Sequence, residues 1–427
     1  MSIMKMKGLV AFVLAIVIAF ASIDAGAVTS VAYTDYDDYT DSNYYDDDTD
    51  VQDTEATTEA KANDNDNRKV PKELRKNGIV TSDNGEYEVR IEYKKKKDTL
   101  EVYYHKCIAT ASEVTVPKKA TLSGGTYDIL GYDNDAFADN YSVKKVNVGD
   151  YIFGEDNDLY DTAKYFFKGG AKKTITLKVS KDYAKINGIP TNVSLFDGVN
   201  KYIINVAKGT YYERFWIYSN TTVNVKGCKF KESHVFFGDS SKKGYNGGHD
   251  MKLIGGTFDL GTKNYDVGTI CAFSHVKNVT IQGTTFKYLP KKKIKKRFNP
   301  HMIEFGGSKN VTIKNCKFYQ NGKCQFNNEA IQIESTYPMS AGTSSYMGKK
   351  DGTQTKNVTI TKCTISGFRY GCGSNHLDKR DHFTNMKITN NTFIGCTKYC
   401  ICAYNYKKFK HTGNKMKNCG QEVQTSF

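Results

Sequence analysis

Along most of the chain apolar side chains fall on alternate residues in short runs, broken by glycine, asparagine and lysine, and the runs recur. Seven segments share one pattern: NVKGCKF ending at Phe230, KLIGGTF at Phe258, TIQGTTF at Phe286, TIKNCKF at Phe318, TITKCTI at Ile365, KITNNTF at Phe393 and a degenerate KHTGNKM at Met416. The steps between them are 28, 28, 32, 47, 28 and 23 residues. Alternation gives a strand one buried face. A period in the twenties, with β-branched strands and Gly/Asn turns, predicts coils of a parallel β-helix rising ~4.8 Å per rung. The expected fold class is all-β: a right-handed parallel β-helix with a small N-terminal β-rich repeat module. Cys228, Cys316 and Cys363 share one repeat position and are expected to stack inside; Asn278, Asn310 and Asn357 share another and are expected to form a turn ladder. The 47-residue step must hold a loop, STYPMSAGTSSYMGKKDGTQT over 335–355.

A second strand precedes each mark: TICAF at 269–273, HMIEF at 301–305, EAIQI at 329–333, YGCGS at 370–374 and YCICA at 399–403. Between Phe286 and Lys350 the only acidic residues are Glu304, Glu329 and Glu334, all on or beside these strands. Alternation turns Ile303, Phe305, Ile331 and Ile333 inward and Glu304, Gln332 and Glu334 outward. With the rungs in register, Glu304 lies beside Gln332, and Glu334 lies two residues further along. One strand spacing across and two residues along give roughly 8 Å between the carboxylates. That is the separation an inverting glycosidase uses to admit a water. Glu304 and Glu334 are therefore the candidate acid/base pair.

The next rung offers GSNHLDKRDH, with His376 as a further acid/base and Asp378 and Arg380 as substrate contacts. Arg297, in the cationic loop PKKKIKKRFNP, is a fourth contact, and His301 and Gln332 complete the expected substrate-binding set. Arg297, Arg369 and Arg380 are three of only seven arginines, and all flank these rungs. A planar guanidinium suits the carboxylate of a uronate sugar. Glu329 sits at a strand start with no definite use, and His234, His249 and His275 are expected to be structural.

The chain begins with Lys5 and Lys7, an apolar run and Ala25-Gly26-Ala27, the pattern of a secretory signal over 1–27. The apolar run is short for a bilayer span, so no stable membrane insertion is expected after cleavage. Residues 28–67 hold thirteen acidic residues and one lysine and are expected to be a disordered acidic linker. With +15 overall, this leaves about +26 on 68–427, a body that attracts anionic partners. Acidic polysaccharide and cell-wall polymer fit a secreted, surface-associated monomer. Nucleic acid does not, because lysines in loops carry no recognised binding motif. The eleven cysteines are odd in number and form no dense framework, so small core residues are expected rather than disulfides. CTKYCIC at 396–402 lacks a matching ligand pair; no metal site or cofactor is expected, and calcium, though possible for this class, is not indicated.

Within 68–160, Val116-Pro117, Tyr127, Ala136-Phe137 and Val146-Asn147-Val148 resemble the leucine-rich repeats of bacterial surface proteins of the BspA type. The resemblance implies an attachment module ahead of the coil domain at 161–427. The coil units share the period of horseshoe leucine-rich repeats but lack their regular leucines and helical half. NKYIINVAKGTYYERFWIYSNTTVNVKG instead resembles the start of a pectate-lyase-like right-handed β-helix, and that resemblance covers roughly 175–420. It implies a carbohydrate-active protein that cleaves an anionic glycan by hydrolysis or β-elimination. The polygalacturonase motifs N-T-D, D-D, G-H-G and R-I-K are replaced here by NEAIQIE and GSNH, with nothing at R-I-K. The alternative from another class is a non-catalytic adhesin, the coil serving as a rigid wall-binding rod.

Overall fold

A computed structural model of the chain describes residues 69–153, 159–261, 269–293, 301–323, 329–334, 336, 348–374 and 382–425. Short alternating strands cannot bury their apolar faces alone, so they stack. The result is a parallel β-helix with three long sheets. The first has 11 strands, from Glu113–Thr115 at one end to Tyr406–Lys410 at the other. The second runs through eight strands from Thr210–Tyr211 to Lys415–Lys417, and the third through eight from Phe215–Ile217 to Gln421–Thr425.

The second sheet carries the repeat mark. Phe230, Phe258, Phe286, Phe318, Ile365, Phe393 and Met416 are successive register partners along it. Their rings stack inside the coil: Phe230–Phe258 at 4.7 Å, Phe258–Phe286 at 5.6 Å and Phe286–Phe318 at 5.4 Å, all within 19° of parallel. Each such pair adds about 0.5–1.5 kcal/mol beyond its area burial.

In the first sheet the strands bend at one column of left-handed residues: Asn220, Asp250, Asn278, Asn310, Asn357, Asn385 and Lys408, with φ between 54° and 60°. Asparagine and aspartate tolerate this conformation better than other residues with a side chain. Here their amides also donate to the rung below, Asn278 to Asp250 at 3.0 Å, Asn310 to Asn278 at 2.8 Å, Asn357 to Asn310 and Asn385 to Asn357 at 2.9 Å. The expected three-residue ladder is thus part of a longer one.

The cysteine column differs in detail from its expectation. Cys316 and Cys363 touch on adjacent rungs, but Gly256 and Thr284 occupy the two rungs between Cys228 and Cys316. No disulfide is formed among the described residues, and nine of the ten described cysteines are buried.

Upstream, Gly78–Thr81, Tyr87–Lys94, Thr99–Cys107, Gly125–Tyr132 and Lys119–Leu122 form a mixed five-stranded sheet in that order. Tyr104, Tyr132 and Phe137 each meet Phe166 in a T-shaped contact at 5.5–5.7 Å. Strand 113–115 pairs in register with 145–149, and 145–149 with 174–179, so the first sheet runs without a break from the N-terminal segment into the coils.

Replacing Asn310 with alanine forces a β-carbon without a compensating amide into the left-handed bend and breaks two ladder bonds. The expected loss is about 2 kcal/mol of unfolding free energy, and Asn310→Gly, which restores the backbone preference alone, should recover about half, as read by urea denaturation.

Candidate functional site on the third sheet

The third sheet brings the glutamate strands together. Ile303 pairs with Ile331, Glu304 with Gln332, Phe305 with Ile333 and Gly306 with Glu334. Glu304 and Glu334 are therefore offset by one strand across and two residues along, which preserves a separation of roughly 8 Å. The isoleucines and Phe305 fill the interior, where Phe305 stacks on Phe273 at 4.9 Å.

The carboxylates do not stand in open solvent, as outward alternation had suggested. Glu304 is 3% exposed, Glu334 7% and Glu329 2%. The pleat decides which side of the sheet a residue occupies; exposure depends on what covers that side. Each carboxylate has a donor at hand. The Thr269 hydroxyl donates to Glu304 Oε2, and the Gln332 amide donates to Glu334 Oε1. Gln332, expected to contact substrate, is thus tied along its own strand to the carboxylate of Glu334.

His301 is the centre of the cluster. Its Nδ1 lies 3.0 Å from Glu329 Oε2 and 3.2 Å from the Glu329 backbone nitrogen. A neutral ring accepts from that N–H; a protonated ring turns its own N–H toward the carboxylate. Burial disfavours the charged ring, but the charge and hydrogen bond of Glu329, then the charges of Glu304 and Glu334, outweigh it and raise the imidazole to about 9. The charged form of the His301 ring is thus favoured at neutral pH by the glutamates around it. Glu329, which had no definite use, is its closest partner, and the same register that set Glu304 beside Gln332 sets 301 beside 329. His376, Asp378, Arg380 and Arg297 lie outside the described residues.

Two features flank the cluster. On the outer column of the sheet, Trp216 and Phe236 precede Ala272, Glu304 and Gln332 in register. The indole, 37% exposed, stacks on Phe236 at 5.0 Å and 25°. On the other side, Arg369 lies over Tyr370 at 5.5 Å, and Lys398 lies between Tyr370 and Tyr399 at 5.7 and 5.3 Å. Tyr370 is the register partner of Glu329.

The long loop returns at 348–355, where Lys349 N donates to Ser240 O at 3.2 Å and Tyr245 donates to Gln354 O at 2.7 Å. His275 sits beneath it, its ring nitrogens 3.0 and 2.8 Å from the carbonyls of Gly244 and Lys349, a loop-joining role. His234 is likewise buried, with Nδ1 2.9 Å from Thr269 O, and burial lowers its pKa.

The sequence reading missed Glu213. It lies on the corner column Glu213–Ser233–Thr269–His301, two residues before the paired strand positions. It lines a cavity of about 740 Å³ with Lys185, Thr210, Tyr212 and Lys231. Oε1 is buried without a hydrogen bond, and burial pushes the carboxyl up to about 7. Its only sequence signal is a lone acid in GTYYERFW, two residues ahead of the inward Phe215.

Also unforeseen is the third ligand for CTKYCIC. The thiols of Cys396, Cys400 and Cys419 lie within 4.8 Å of one another, the only such three-ligand group among the described residues. Comparison with protein-family models, with curated proteins and with solved structures finds no match.

Because His301 binds its proton more tightly folded than unfolded, its stabilisation is complete below about pH 6.5 and is lost as pH rises through 9. Unfolding free energy should fall by roughly 2 kcal/mol between pH 6.5 and 9.5, and His301→Gln should flatten that slope in a urea series across pH. Glu213 acts in a lower window. Folding retains its proton between 4.5 and about 7, so wild-type stability declines as pH rises through that range. Glu213→Gln should be more stable than wild type by roughly 1–2 kcal/mol above pH 7, allowing for partial solvation, with the gain vanishing below pH 4.5 in the same assay.

Proposed function

We propose that the chain is a secreted, carbohydrate-active β-helix that hydrolyses an anionic polysaccharide lying across the rungs of the third sheet. The observation that carries this reading is the paired offset of Glu304 and Glu334 beside His301. One carboxyl protonates the departing glycosidic oxygen while the other takes a proton from the water that attacks the anomeric carbon. The bond to oxygen breaks, the bond to water forms, and the two protons balance. Gln332 donates to Glu334 and so suits it to the charged, base role. Glu304 then falls to the proton-donor role, for which its carboxylate must first take up a proton.

The flanking groups fit a long substrate. Trp216 lies three rungs from Glu304, ~14 Å, and gives a sugar ring an apolar face to stack on. Arg369 and Lys398, past Glu329, suit uronate carboxylates, and the basic body draws such a polymer in. Hydrolysis is preferred to β-elimination because the spacing leaves room for a water. Membership in a right-handed, pectate-lyase-like branch, with a BspA-type module for cell-surface attachment, is the finer form of this reading and rests on the sequence resemblances. The adhesin reading draws on the burial of the glutamates, which holds them as a packed polar layer.

A screen of acidic polysaccharides, following both reducing ends and the absorbance of unsaturated products, tests the proposal. New reducing ends without unsaturated product are expected from wild type. Glu304→Gln and Glu334→Gln should each lose about 10²–10⁴-fold in kcat. Trp216→Ala should raise KM about 2–10-fold with little change in kcat. Unaltered activity in both glutamine variants would sink the site, and polymer binding without turnover would establish the adhesin instead.

A further inference from the structure

The geometry points to a second site, two rungs beyond the strand of Glu329 and Glu334: Cys396, Cys400 and Cys419 form a thiolate centre for one zinc ion, with Glu422 as fourth ligand, and the metal clips these two coils together. The site is built by register. Ile394 pairs with Lys417, and each is followed by a residue at positive φ, Gly395 at 61° and Asn418 at 54°. The chain therefore turns the same way on both rungs and delivers Cys396 and Cys419 to the same corner, one rung apart. Cys400 approaches from the third sheet, where its thiol meets both the others. Tyr399 pairs with Gln421 and Ile401 with Val423, so Glu422 stands opposite Cys400, and its charge reaches that thiol. The four positions are two neighbouring corners and two neighbouring strand residues.

The chemistry suits a soft divalent ion. Zinc takes four ligands at about 2.3 Å from sulfur, which sets tetrahedral sulfurs ~3.8 Å apart. Thiols already within 4.8 Å of one another close to that figure with small side-chain movements. Three thiols cannot all be satisfied by one disulfide, whereas a single ion uses every one. Binding is balanced by release of one proton for each thiol that becomes a thiolate, so uptake acidifies the medium. A structural reason for the site lies in the terminal rung. Gln421–Thr425 has no buried residue, in contrast to Tyr399–Ala403 before it, where four of five are buried. With only partly buried apolar groups such as Met416 and Val423 holding it, this rung gains from a metal shared with the rung before it.

The test uses the full chain, reduced with a non-thiol reductant and titrated with cobalt(II), then zinc. One cobalt per chain with a thiolate charge-transfer band is expected, displaced by one equivalent of zinc. Amide exchange over 415–425 should slow about tenfold or more when zinc is bound. Cys419→Ser, at the one partly exposed thiol, should weaken metal binding about tenfold or more and abolish the exchange protection. Its thermal unfolding in chelator should match that of chelated wild type, which shows the variant is folded. Glu422→Gln should weaken zinc while leaving the charge-transfer band. Unchanged cobalt binding by Cys419→Ser would place the metal elsewhere and overturn the proposal. So would a chain two hydrogens lighter without reductant, bridged between these cysteines, that takes up no cobalt once reduced.

Discussion

A parallel coil stays in register only if every rung reaches each corner at the same residue. In this chain the bend of the first sheet is fixed by the column from Asn220 to Lys408, held at positive φ and linked by side-chain amides from Asp250 to Asn385. Each amide both permits the bend and ties it to the rung below. A slip of one residue would break the amide chain, force ordinary residues into left-handed geometry and unstack the phenylalanines from Phe230 to Phe318 at once. These penalties fall together, so the register is all-or-none. The third sheet inherits it. Glu304 lies beside Gln332, and His301 beside Glu329, because the other two sheets leave no other alignment.

That inheritance explains how irregular side chains keep fixed places in a repetitive fold. The interior columns are conserved in kind within the chain, phenylalanine over phenylalanine and isoleucine over isoleucine, because they face one another. The outer columns have no such demand. On the third sheet the outer positions run tryptophan, phenylalanine, alanine, glutamate, glutamine and glycine, one residue per rung. The coil is a regular scaffold on which irregular side chains are set at ~4.8 Å intervals.

The repeat marks, the strands of the third sheet and the Asn positions were legible because each carries a periodic signal. The alternation that buries Ile303 and Phe305 also named Glu304 without further information. Burial of the carboxylates was not legible, since it depends on segments that cover the sheet from other parts of the chain. Corner residues were the other blind spot. Glu213 and Cys419 sit where the chain turns, and turns obey neither the strand period nor the helix period. Cys419 illustrates the point: CTKYCIC looked incomplete in sequence because its third thiol comes from the next coil, 23 residues after Cys396. Aligning the corners as well as the strands would have placed it. The same alignment would have put Thr269 and Ser233 beneath His301.

The placement of His301 also bears on how the cluster holds its charge. Three carboxylates near one another repel, and burial raises the cost of each. An imidazolium among them offsets one negative charge and draws on all three, which is why its proton is held so tightly. Loss of that proton would leave the carboxylates facing a neutral ring, whose Nδ1 then accepts from the Glu329 N–H instead of donating to its carboxylate. The ring therefore has two hydrogen-bonding states at one position, and the charge of the whole cluster selects between them. A ligand that brings its own carboxylate, or a proton that reaches Glu304, changes that charge. His301 is thus placed to respond to the charge of the glutamates without moving from its rung.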